Sequence, residues 1–538
     1  MTPGHVVAID RVRWTRTPAG FEVLWDDDLR LDKHIVAGRA AIVKTGEHRT
    51  VYRVELPRET VYWKECRLYG PRAWWRDFFR GPKAKLEFDR ARALTARGIA
   101  TVEPLAWGRM AGFWPPASFL ITRALADTTP LDDYLLLHPP LTAAEHRRLT
   151  ESLAAFVARL HDAGVTHPDL HPGNLLVRAR GDQPEFFLID VHDIQLSSPL
   201  GRAARHANLA VLNRWFQIRA TRTDRLRFWR AYGGPGTSSD DGDEIERDTK
   251  RSIADLWASR EERCLRSSRH FQKVSGHAVR GFAVRELAPT TLDRFVSDPD
   301  EPFGRPGVAL LKDSRSATVC LLSVETSGGP RTMVYKRFRV TEMTDPLANL
   351  VRSSGALRSW KAGHAFIDRG LPTPRPVMVL HRRRFGFPTV GYLLCEQVVD
   401  ARHLDEAIRS AGRCEKRRLA ETLARWVRVM HERGIANRDL KAANILVTPA
   451  GECEFIDLVG VRTRKSVNRR LRVRDLARLN ASFVSSPEVT RTDRLRFLRI
   501  YLLWGRRGSV GWKDWWRQVA QETSNKVRKN SLRNRPLA

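Results

Sequence analysis

The chain has 538 residues, which exceeds one compact domain and allows two domains that each bury a core. Lysine and arginine outnumber aspartate and glutamate by 93 to 61, and the formal net charge of +32 favours an anionic partner without choosing among phosphates, acidic glycolipid, membrane surface and nucleic acid. Six scattered cysteines without a CxxC pair indicate reduced thiols in a cytoplasmic protein and disfavour a disulfide framework or a zinc site. No long apolar run and no signal-like start occurs, so the sequence predicts no spanning helix and no secretory signal, and any membrane contact is expected to be peripheral.

The first predicted elements are the strands of an antiparallel meander within residues 21–64, where apolar and polar residues alternate. Its third strand ends at Lys64, a candidate phosphate-binding cation, although taken alone this residue is more typical of a solvent-facing lysine on an edge strand. Helical spacing follows over 85–94 and stops before Gly98, a plausible C-cap. Glu87 on this helix is either a partner of Lys64 or a surface glutamate.

A strand at 118–122 and a polar connector lead to a predicted helix over 143–161 with an apolar stripe on one side. This helix delivers the chain to the loop HPDLHPGN at 167–174. The loop contains Asp169 and, five residues later, Asn174. A short apolar run then ends on Asp190.

An acid, an amide five residues on and a second acid at the end of a strand are what phosphoryl transfer from a metal-bound nucleotide requires. We expect Asp169 to accept or orient the proton of an attacking hydroxyl. We expect Asn174 and Asp190 to hold Mg²⁺, a hard cation that prefers oxygen ligands. The sequence therefore predicts a phosphotransferase site in the first half of the chain.

The same order of features occurs a second time. The lysine of the meander is Lys336, a helix is predicted over 357–369, and the loop NRDLKAAN contains Asp439 and Asn444 before a strand that ends on Asp457. The segment TRTDRLRF also occurs twice, beginning at residues 221 and 490, far from either loop. Because the similarity extends beyond the short motif, it indicates that whole units were duplicated.

Between the halves, residues 233–250 are acidic and rich in turn-forming residues, which predicts a linker, and a polar helical stretch continues to about residue 270. Upstream of it, the pattern from Arg202 to Tyr232 is helical and basic. The linker is therefore expected to separate two domains of similar content.

Both halves resemble the lipopolysaccharide kinase group, the Kdo and heptose kinase (WaaP-like) family of the protein-kinase-like superfamily. In the second half the resemblance rests on five segments, at 311–315, 334–336, 369–376, 438–444 and 455–458. It implies an α+β fold class with two tandem protein-kinase-like bilobal domains, each with an antiparallel-sheet N-lobe and a helical C-lobe. The first domain would occupy residues 1–235, an acidic and polar linker 236–270, and the second domain 271–538.

The resemblance also implies ATP and Mg²⁺ as cofactors and a sugar hydroxyl of the lipopolysaccharide inner core, or of a related anionic glycolipid, as acceptor. Lys64 and Lys336 would bind the nucleotide phosphates, and Glu87 would pair with Lys64. Asp169 and Asp439 would be the catalytic acids, and the metal ligands would be Asn174, Asp190, Asn444 and Asp457.

Both halves depart from the protein-kinase pattern. Pro168 and His171 make the first loop resemble small-molecule phosphotransferases of the aminoglycoside and choline kinase type, which favours a non-protein hydroxyl. In the second half Asn437 replaces the loop histidine, and Ser359 stands where the glutamate partner of Lys336 is expected. The glycine-rich phosphate loop is poor in both halves.

Two surface features bear on partners. Residues 72–80 place four aromatics among three arginines, a composition that suits a lipid headgroup layer but equally an amphipathic helix packed on its own domain. A basic region at 462–474 and the basic tail would attract an anionic acceptor or are simply solvated. The tail residues are Lys526, Arg528, Lys529, Arg533 and Arg535.

The alternatives to a glycolipid kinase are a protein or small-molecule kinase and a tandem pseudokinase scaffold that binds anionic partners without turnover. Nucleic acid is disfavoured because the aromatics do not form a recognisable stacking motif. The expected location is the cytoplasm, with the inner face of the cytoplasmic membrane as the alternative. The sequence does not indicate an oligomeric state.

Overall fold

The computed structural model describes residues 5–46, 49–68, 70–111, 117–137, 141–179, 183–234, 239–268, 270–305, 308–339, 354–384, 387–503 and 511–532. The chain divides into two compact units, Met1–Ile253 and Ala254–Ala538. Each is a mixture of helices and strands built on an antiparallel sheet of seven strands.

The sheet of the first unit has seven strands, and aromatic side chains pack against one another on its buried face. Its strands are β1 (His5–Ile9), β2 (Val12–Arg16), β3 (Ala40–Gly46), β4 (Arg49–Glu55), β5 (Thr60–Arg67), β6 (Pro104–Met110) and β7 (Ala117–Arg123). Their order is β1-β2-β6-β7-β5-β4-β3. Trp14 and Trp63 meet edge to face, with ring centroids 5.3 Å apart, and Phe119 packs beside Trp14. Such aromatic pairs on a buried face fix the register of the strands that carry the site.

The helices of the first unit lie mostly after the sheet. They are α1 (Pro18–Val23), α2 (Leu31–Val36), α3 (Pro71–Arg80), α4 (Lys83–Ala96), α5 (Leu131–Leu137), α6 (Ala143–Asp162), α7 (Arg202–Arg219) and α8 (Arg222–Gly233), and α9 (Ser239–Arg260) begins in the first unit and ends in the second. A capping box of Thr142 and Glu145 starts α6, and the chain leaves α4 through Gly98 at φ +72°. Short strands flank the loop that follows α6: β8 (Thr129–Pro130), β9 (Val165–Thr166), β10 (Leu175–Arg178), β11 (Glu185–Leu188) and β12 (Gln195–Leu196).

The second unit contains a sheet with the corresponding order, β13-β14-β18-β19-β17-β16-β15. Its strands are β13 (Phe271–Ser275), β14 (Val279–Val284), β15 (Ala309–Asp313), β16 (Ala317–Thr326), β17 (Gly329–Phe338), β18 (Pro376–Arg384) and β19 (Phe387–Glu396), followed by β20 (Arg402–His403), β21 (Ile435–Asn437), β22 (Ile445–Val447), β23 (Cys453–Phe455) and β24 (Val461–Thr463). Its helices are α10 (Pro289–Ser297), α11 (Glu301–Gly304), α12 (Gly355–Asp368), α13 (Leu404–Ser410), α14 (Arg413–Glu432), α15 (Arg469–Ala481), α16 (Arg491–Leu503) and α17 (Trp512–Ser531).

Strand-like alternation was expected to begin at residue 21, and this is wrong for the start of that range. Pro18–Val23 and Leu31–Val36 are helices instead. Thr17 caps the first of them, because its hydroxyl accepts from the Gly20 N–H at 3.0 Å, and Pro18 occupies its first turn. The sheet takes its additional strands from β1, β2 and β6, which the sequence pattern did not single out.

One expectation about the region between the halves is corrected. The turn-rich linker expected over 233–250 is helical from Ser239 onward, and α9 forms because Ile245 and Trp257 are buried despite the polar composition around them. The helical pattern expected from Arg202 to Tyr232 is confirmed, and it forms two helices because Thr221 starts the second one with a capping box. Within the described ranges, none of the helices combines the length and the apolar character needed to cross a bilayer.

Candidate active site

The loop after α6 is held rigid by its own side chains. His167 Nδ1 accepts from the Asp169 N–H at 3.1 Å, and the amide nitrogen of Asn174 donates to the Asp169 carbonyl at 2.9 Å. Leu170 is fully buried and anchors the loop to the helical core. The Asp169 carboxylate projects outward and is largely exposed, with His171 Nε2 3.6 Å away. The fold therefore presents this carboxylate to a reactant on a fixed backbone.

Asp190 is brought beside Asn174 by the strand pair β10 and β11. The Ile189 N–H donates to the Asn174 carbonyl at 3.0 Å, which joins the end of the loop to the residue before Asp190. Asp190 itself has φ +59°, a left-handed conformation that costs energy in a residue other than glycine and is often found at functional positions. The structure thus places Asp169, Asn174 and Asp190 in one group.

Lys64 and Glu87 form an ion pair that is almost completely buried. Lys64 Nζ donates to Glu87 Oε1, and the two residues are 8% and 2% exposed. Burial raises the pKa of Glu87, but the charges of Lys64 and Arg49 more than offset burial, and the pKa lies below the ordinary value. The edge-strand interpretation of Lys64 is therefore wrong, because strands β4 and β7 pair with β5 on its two sides.

Arg49 and His192 also belong to this group, although the sequence did not single them out. Arg49 Nη1 donates to Asp190 Oδ1 at 3.1 Å, and His192 Nδ1 lies 2.9 Å from the same oxygen. Burial raises the pKa of Asp190, but His192, Arg49 and Lys64 outweigh it, and the pKa is held well below the usual range. The sequence position that could have pointed to Arg49 is two residues before Val51. Val51 pairs directly with Lys64 on the neighbouring strand. Residues two apart on a strand share a face.

The loop of the second unit has the same internal bonds with different residues. Asn437 Oδ1 accepts from the Asp439 N–H at 2.9 Å, the bond that a histidine makes in the first loop. The amide nitrogen of Asn444 donates to the Asp439 carbonyl at 2.9 Å and lies 3.3 Å from its carboxylate. The Ile456 N–H donates to the Asn444 carbonyl at 2.9 Å and so places Asp457, at φ +54°, beside the loop.

Lys336 has a different partner from Lys64. Its Nζ donates to Asp457 Oδ1 at 2.9 Å, so the strand lysine contacts the acid at the strand end directly. Ser359, at the slot where a glutamate was expected, is buried, and its hydroxyl has no hydrogen-bond partner among the described residues. Val319 pairs with Lys336 as Val51 pairs with Lys64, so the position of Arg49 is taken by Ala317. At these two strand positions the second unit therefore has Lys336 and Ala317 where the first has Lys64 and Arg49.

The donor atoms suit a hard divalent cation. Glu87, Asp190 and His192 offer ligand atoms that all lie within 4.8 Å of one another. The nitrogen of each loop amide donates within the loop, so its oxygen is the atom that remains for a metal. Carboxylate and amide oxygens are the ligands that Mg²⁺ prefers. Asn174 with Asp190, and Asn444 with Asp457, would hold Mg²⁺, which would supply positive charge to neutralise the nucleotide phosphates.

The chain is similar to known sugar kinases over parts of its length. The model of the lipopolysaccharide kinase (Kdo/WaaP) family matches residues 58–232 and 335–501. A 3-deoxy-D-manno-octulosonic acid kinase of Xylella fastidiosa is 32% identical over 146 residues, which cover 26% of this chain and 57% of the relative. The lipopolysaccharide core heptose(I) kinase WaaP of Pseudomonas aeruginosa is 39% identical over 159 residues, 27% of this chain and 59% of the relative.

These alignments span less than two thirds of the length of the relatives. A solved structure described as WaaP in complex with acyl carrier protein matches with 24% identity and a TM-score of 0.35, covering 47% of this chain and 99% of that chain.

Proposed function

The chain belongs to the lipopolysaccharide kinase (Kdo/WaaP) family, and we propose that it transfers the γ-phosphate of ATP to a sugar hydroxyl of the lipopolysaccharide inner core or of a related glycolipid. The observation that supports this most directly is the repeated loop geometry. In both units an asparagine amide bonds the carbonyl of the loop aspartate, and the asparagine carbonyl accepts from the residue before the strand-end acid. This arrangement fixes an outward carboxylate beside oxygen ligands, which phosphoryl transfer requires.

Each residue of the site has a proposed role. Asp169 and Asp439 accept or orient the proton of the acceptor hydroxyl, since each carboxylate lies on a braced loop. Lys64 and Lys336 bind nucleotide phosphate, and Glu87 holds Lys64 in place. The oxygens of Asn174 with Asp190, and of Asn444 with Asp457, hold Mg²⁺.

We further propose that the two units are duplicated kinase-like domains, 1–235 and 271–538, joined by 236–270. The identical strand order of the two sheets and the family match over two segments support this. The first unit is the stronger candidate for turnover because it has both the lysine and its glutamate. The second candidate function, nucleotide binding without transfer, is favoured for the second unit by the neutral Ser359 and by the contact of Lys336 with Asp457.

The test is transfer of labelled γ-phosphate from ATP to purified core glycolipid, with soluble protein and free sugars as competing acceptors. Asp169→Asn and Asp439→Asn are made separately and together, and the loss of a positioned proton acceptor should lower the rate about 10²- to 10⁴-fold in whichever unit is active. Asp89→Asn, on an exposed ion pair with Lys85, is the matched control and should leave the rate unchanged. Unchanged turnover in the double variant would refute the assignment, and label on protein alone would favour a protein kinase.

We propose that α3 brings the first unit to an anionic membrane surface, where a glycolipid acceptor would lie. Trp75, Phe78 and Phe79 are 55%, 67% and 72% exposed, and Trp75 stacks on Phe79 with centroids 5.7 Å apart. Arg80 is exposed at the end of the same helix. An exposed aromatic face on a strongly basic chain suits the interface of an anionic bilayer.

Sedimentation with vesicles that contain anionic lipid tests this membrane contact. Trp75→Ala with Phe79→Ala should reduce binding more than Trp25→Ala, an equally exposed tryptophan of the same unit. Equal loss in both variants would contradict a specific role for α3. Loss of the basic tail should reduce vesicle binding less than loss of the aromatic side chains of α3. The tail residues Arg533 and Arg535 lie outside the described residues.

A further inference from the structure

Arg49 occupies a distinctive place in the first cleft. It begins β4 immediately after the hairpin that should cover the nucleotide phosphates, and it lies on the same face of the sheet as Lys64. Its side chain is 22% exposed, and Nη1 donates to Asp190 Oδ1 at 3.1 Å. Both Glu87 and Asp190 act electrostatically on this guanidinium. The first cleft therefore places a second cation in contact with Asp190, its proposed metal-binding acid.

The hairpin before Arg49 has little glycine, so close approach of backbone N–H groups to phosphates is not favoured there. A guanidinium can replace such donors, because its planar fork of N–H groups matches phosphate oxygens and keeps its charge at all physiological pH values. The second unit has Ala317 at the same register position, so no guanidinium stands at that place. Arg49 thus distinguishes the two clefts.

We propose that Arg49 is a second phosphate-binding cation of the first cleft, which moves from Asp190 to the nucleotide phosphates when Asp190 binds a divalent cation. The inference rests on the proposed function and extends it by assigning a ligand for the phosphates. Asp190 Oδ1 already accepts from Arg49 and lies 2.9 Å from His192 Nδ1, and a cation bound to this carboxylate would repel the guanidinium of Arg49 at that distance. The phosphates that arrive with the metal are the nearest anionic acceptors for a displaced Arg49.

Two opposite effects follow when Arg49 is removed. Nucleotide binding weakens because a charge-assisted hydrogen bond is lost, and binding of the metal alone tightens because Asp190 no longer has a competing partner. A residue that only stabilised the fold would not move these two affinities in opposite directions. Adenosine, which has no phosphate, should bind equally well with and without Arg49.

The experiment uses the full chain with Lys336→Ala and Asp457→Ala, so that the second cleft contributes little binding. Arg49→Ala and Arg49→Gln are compared with Arg53→Ala, an exposed arginine of the same strand that pairs with Glu55. The probes are a fluorescent ATP analogue with Mg²⁺, adenosine, and Mn²⁺ alone followed by its paramagnetic signal. Thermal melting verifies that each variant is folded, and Arg49→Gln keeps the measurement possible if alanine unfolds the unit.

We expect Arg49→Ala and Arg49→Gln to weaken ATP-analogue binding about ten- to hundredfold, the range for one charge-assisted hydrogen bond. Mn²⁺ should bind several-fold more tightly, adenosine should be unaffected, and Arg53→Ala should remain within about twofold of its parent. Equal ATP-analogue affinity with and without Arg49, or an equal loss for adenosine, would overturn the proposal. Tight, Arg49-dependent nucleotide binding without phosphate transfer would instead count against the proposed function and leave this inference standing.

Discussion

Replacement of Glu87 by glutamine removes one charge of the buried pair while keeping the shape of the side chain. Lys64 is then left with an uncompensated ammonium in a site where its side chain is only 11% exposed. Removal of one partner of a buried pair costs about 3–5 kcal/mol, and the lower end applies because Lys64 still faces the cleft and feels Asp190. At about 2–4 °C per kcal/mol for a unit of this size, Glu87→Gln should lower the melting temperature by roughly 6–12 °C.

Calorimetry of the full chain measures the shift, and hydrogen exchange of the β5 amides reports whether the first unit is the part that opens. Glu55→Gln is the matched control, because Glu55 pairs with Arg53 at the surface of the neighbouring strand β4 and should cost less than about 1 kcal/mol. The double variant Lys64→Met with Glu87→Leu should recover most of the loss, since no buried charge remains unpaired. A melting temperature within about 2 °C of the parent for Glu87→Gln would refute the reasoning.

The same pair makes a prediction about acid. The folded-state pKa of Glu87 lies below its ordinary value of 4.5, so the stability that the pair contributes is present above about pH 4.5 and is lost as pH falls through the lowered pKa. Glu87→Gln should lack this component, and its stability relative to the parent should converge at low pH. A constant difference across this range would contradict the linkage.

Two further substitutions test backbone and polar contacts. Gly164→Ala should be strongly destabilising in a urea titration, because Gly164 has φ +73° and an added Cβ would lie 2.2 Å from the Ser197 carbonyl oxygen. The control is Gly451→Ala, at φ +80° with open space around it, which should cost only about 1 kcal/mol. Equal costs for the two substitutions would contradict the steric argument. Tyr501→Phe should lower the free energy of unfolding by about 1–3 kcal/mol in the same titration, because it removes the hydroxyl that lies 2.8 Å from the buried His431 Nδ1. An unchanged urea midpoint would show that this contact contributes nothing to stability.

The sequence was most informative where chemistry is concentrated in a short segment. Asp169 and Asn174 are five residues apart in one loop, so their contact follows from local geometry, and the family resemblance pointed to Glu87 on the helix after the strand of Lys64. Arg49 and His192 were missed because their contact with Asp190 depends on strand register and on a turn after β11, which no local pattern reveals.

Local composition also misled where tertiary packing overrode it. The glycines before α9 and the aspartates in its first turns favoured turns, yet Ile245 and Trp257 on that helix are buried. Helix propensity is a weak guide compared with the burial of an apolar face. The same holds for Asn437, which looked like the loss of a histidine although its side-chain oxygen makes the equivalent bond to the loop backbone.

The different partners of the two lysines have a consequence for which cleft can bind metal and nucleotide together. In the first unit Lys64 keeps its own carboxylate on α4, so Asp190 can exchange Arg49 for a cation without moving the lysine. In the second unit Lys336 is itself bound to Asp457, and the neighbouring buried slot offers only the neutral hydroxyl of Ser359. A cation at Asp457 would therefore repel Lys336, and the position on α12 that corresponds to Glu87 holds only Ser359. Electrostatics thus favours the first cleft as the site of turnover, and the second as the weaker binder of metal and nucleotide.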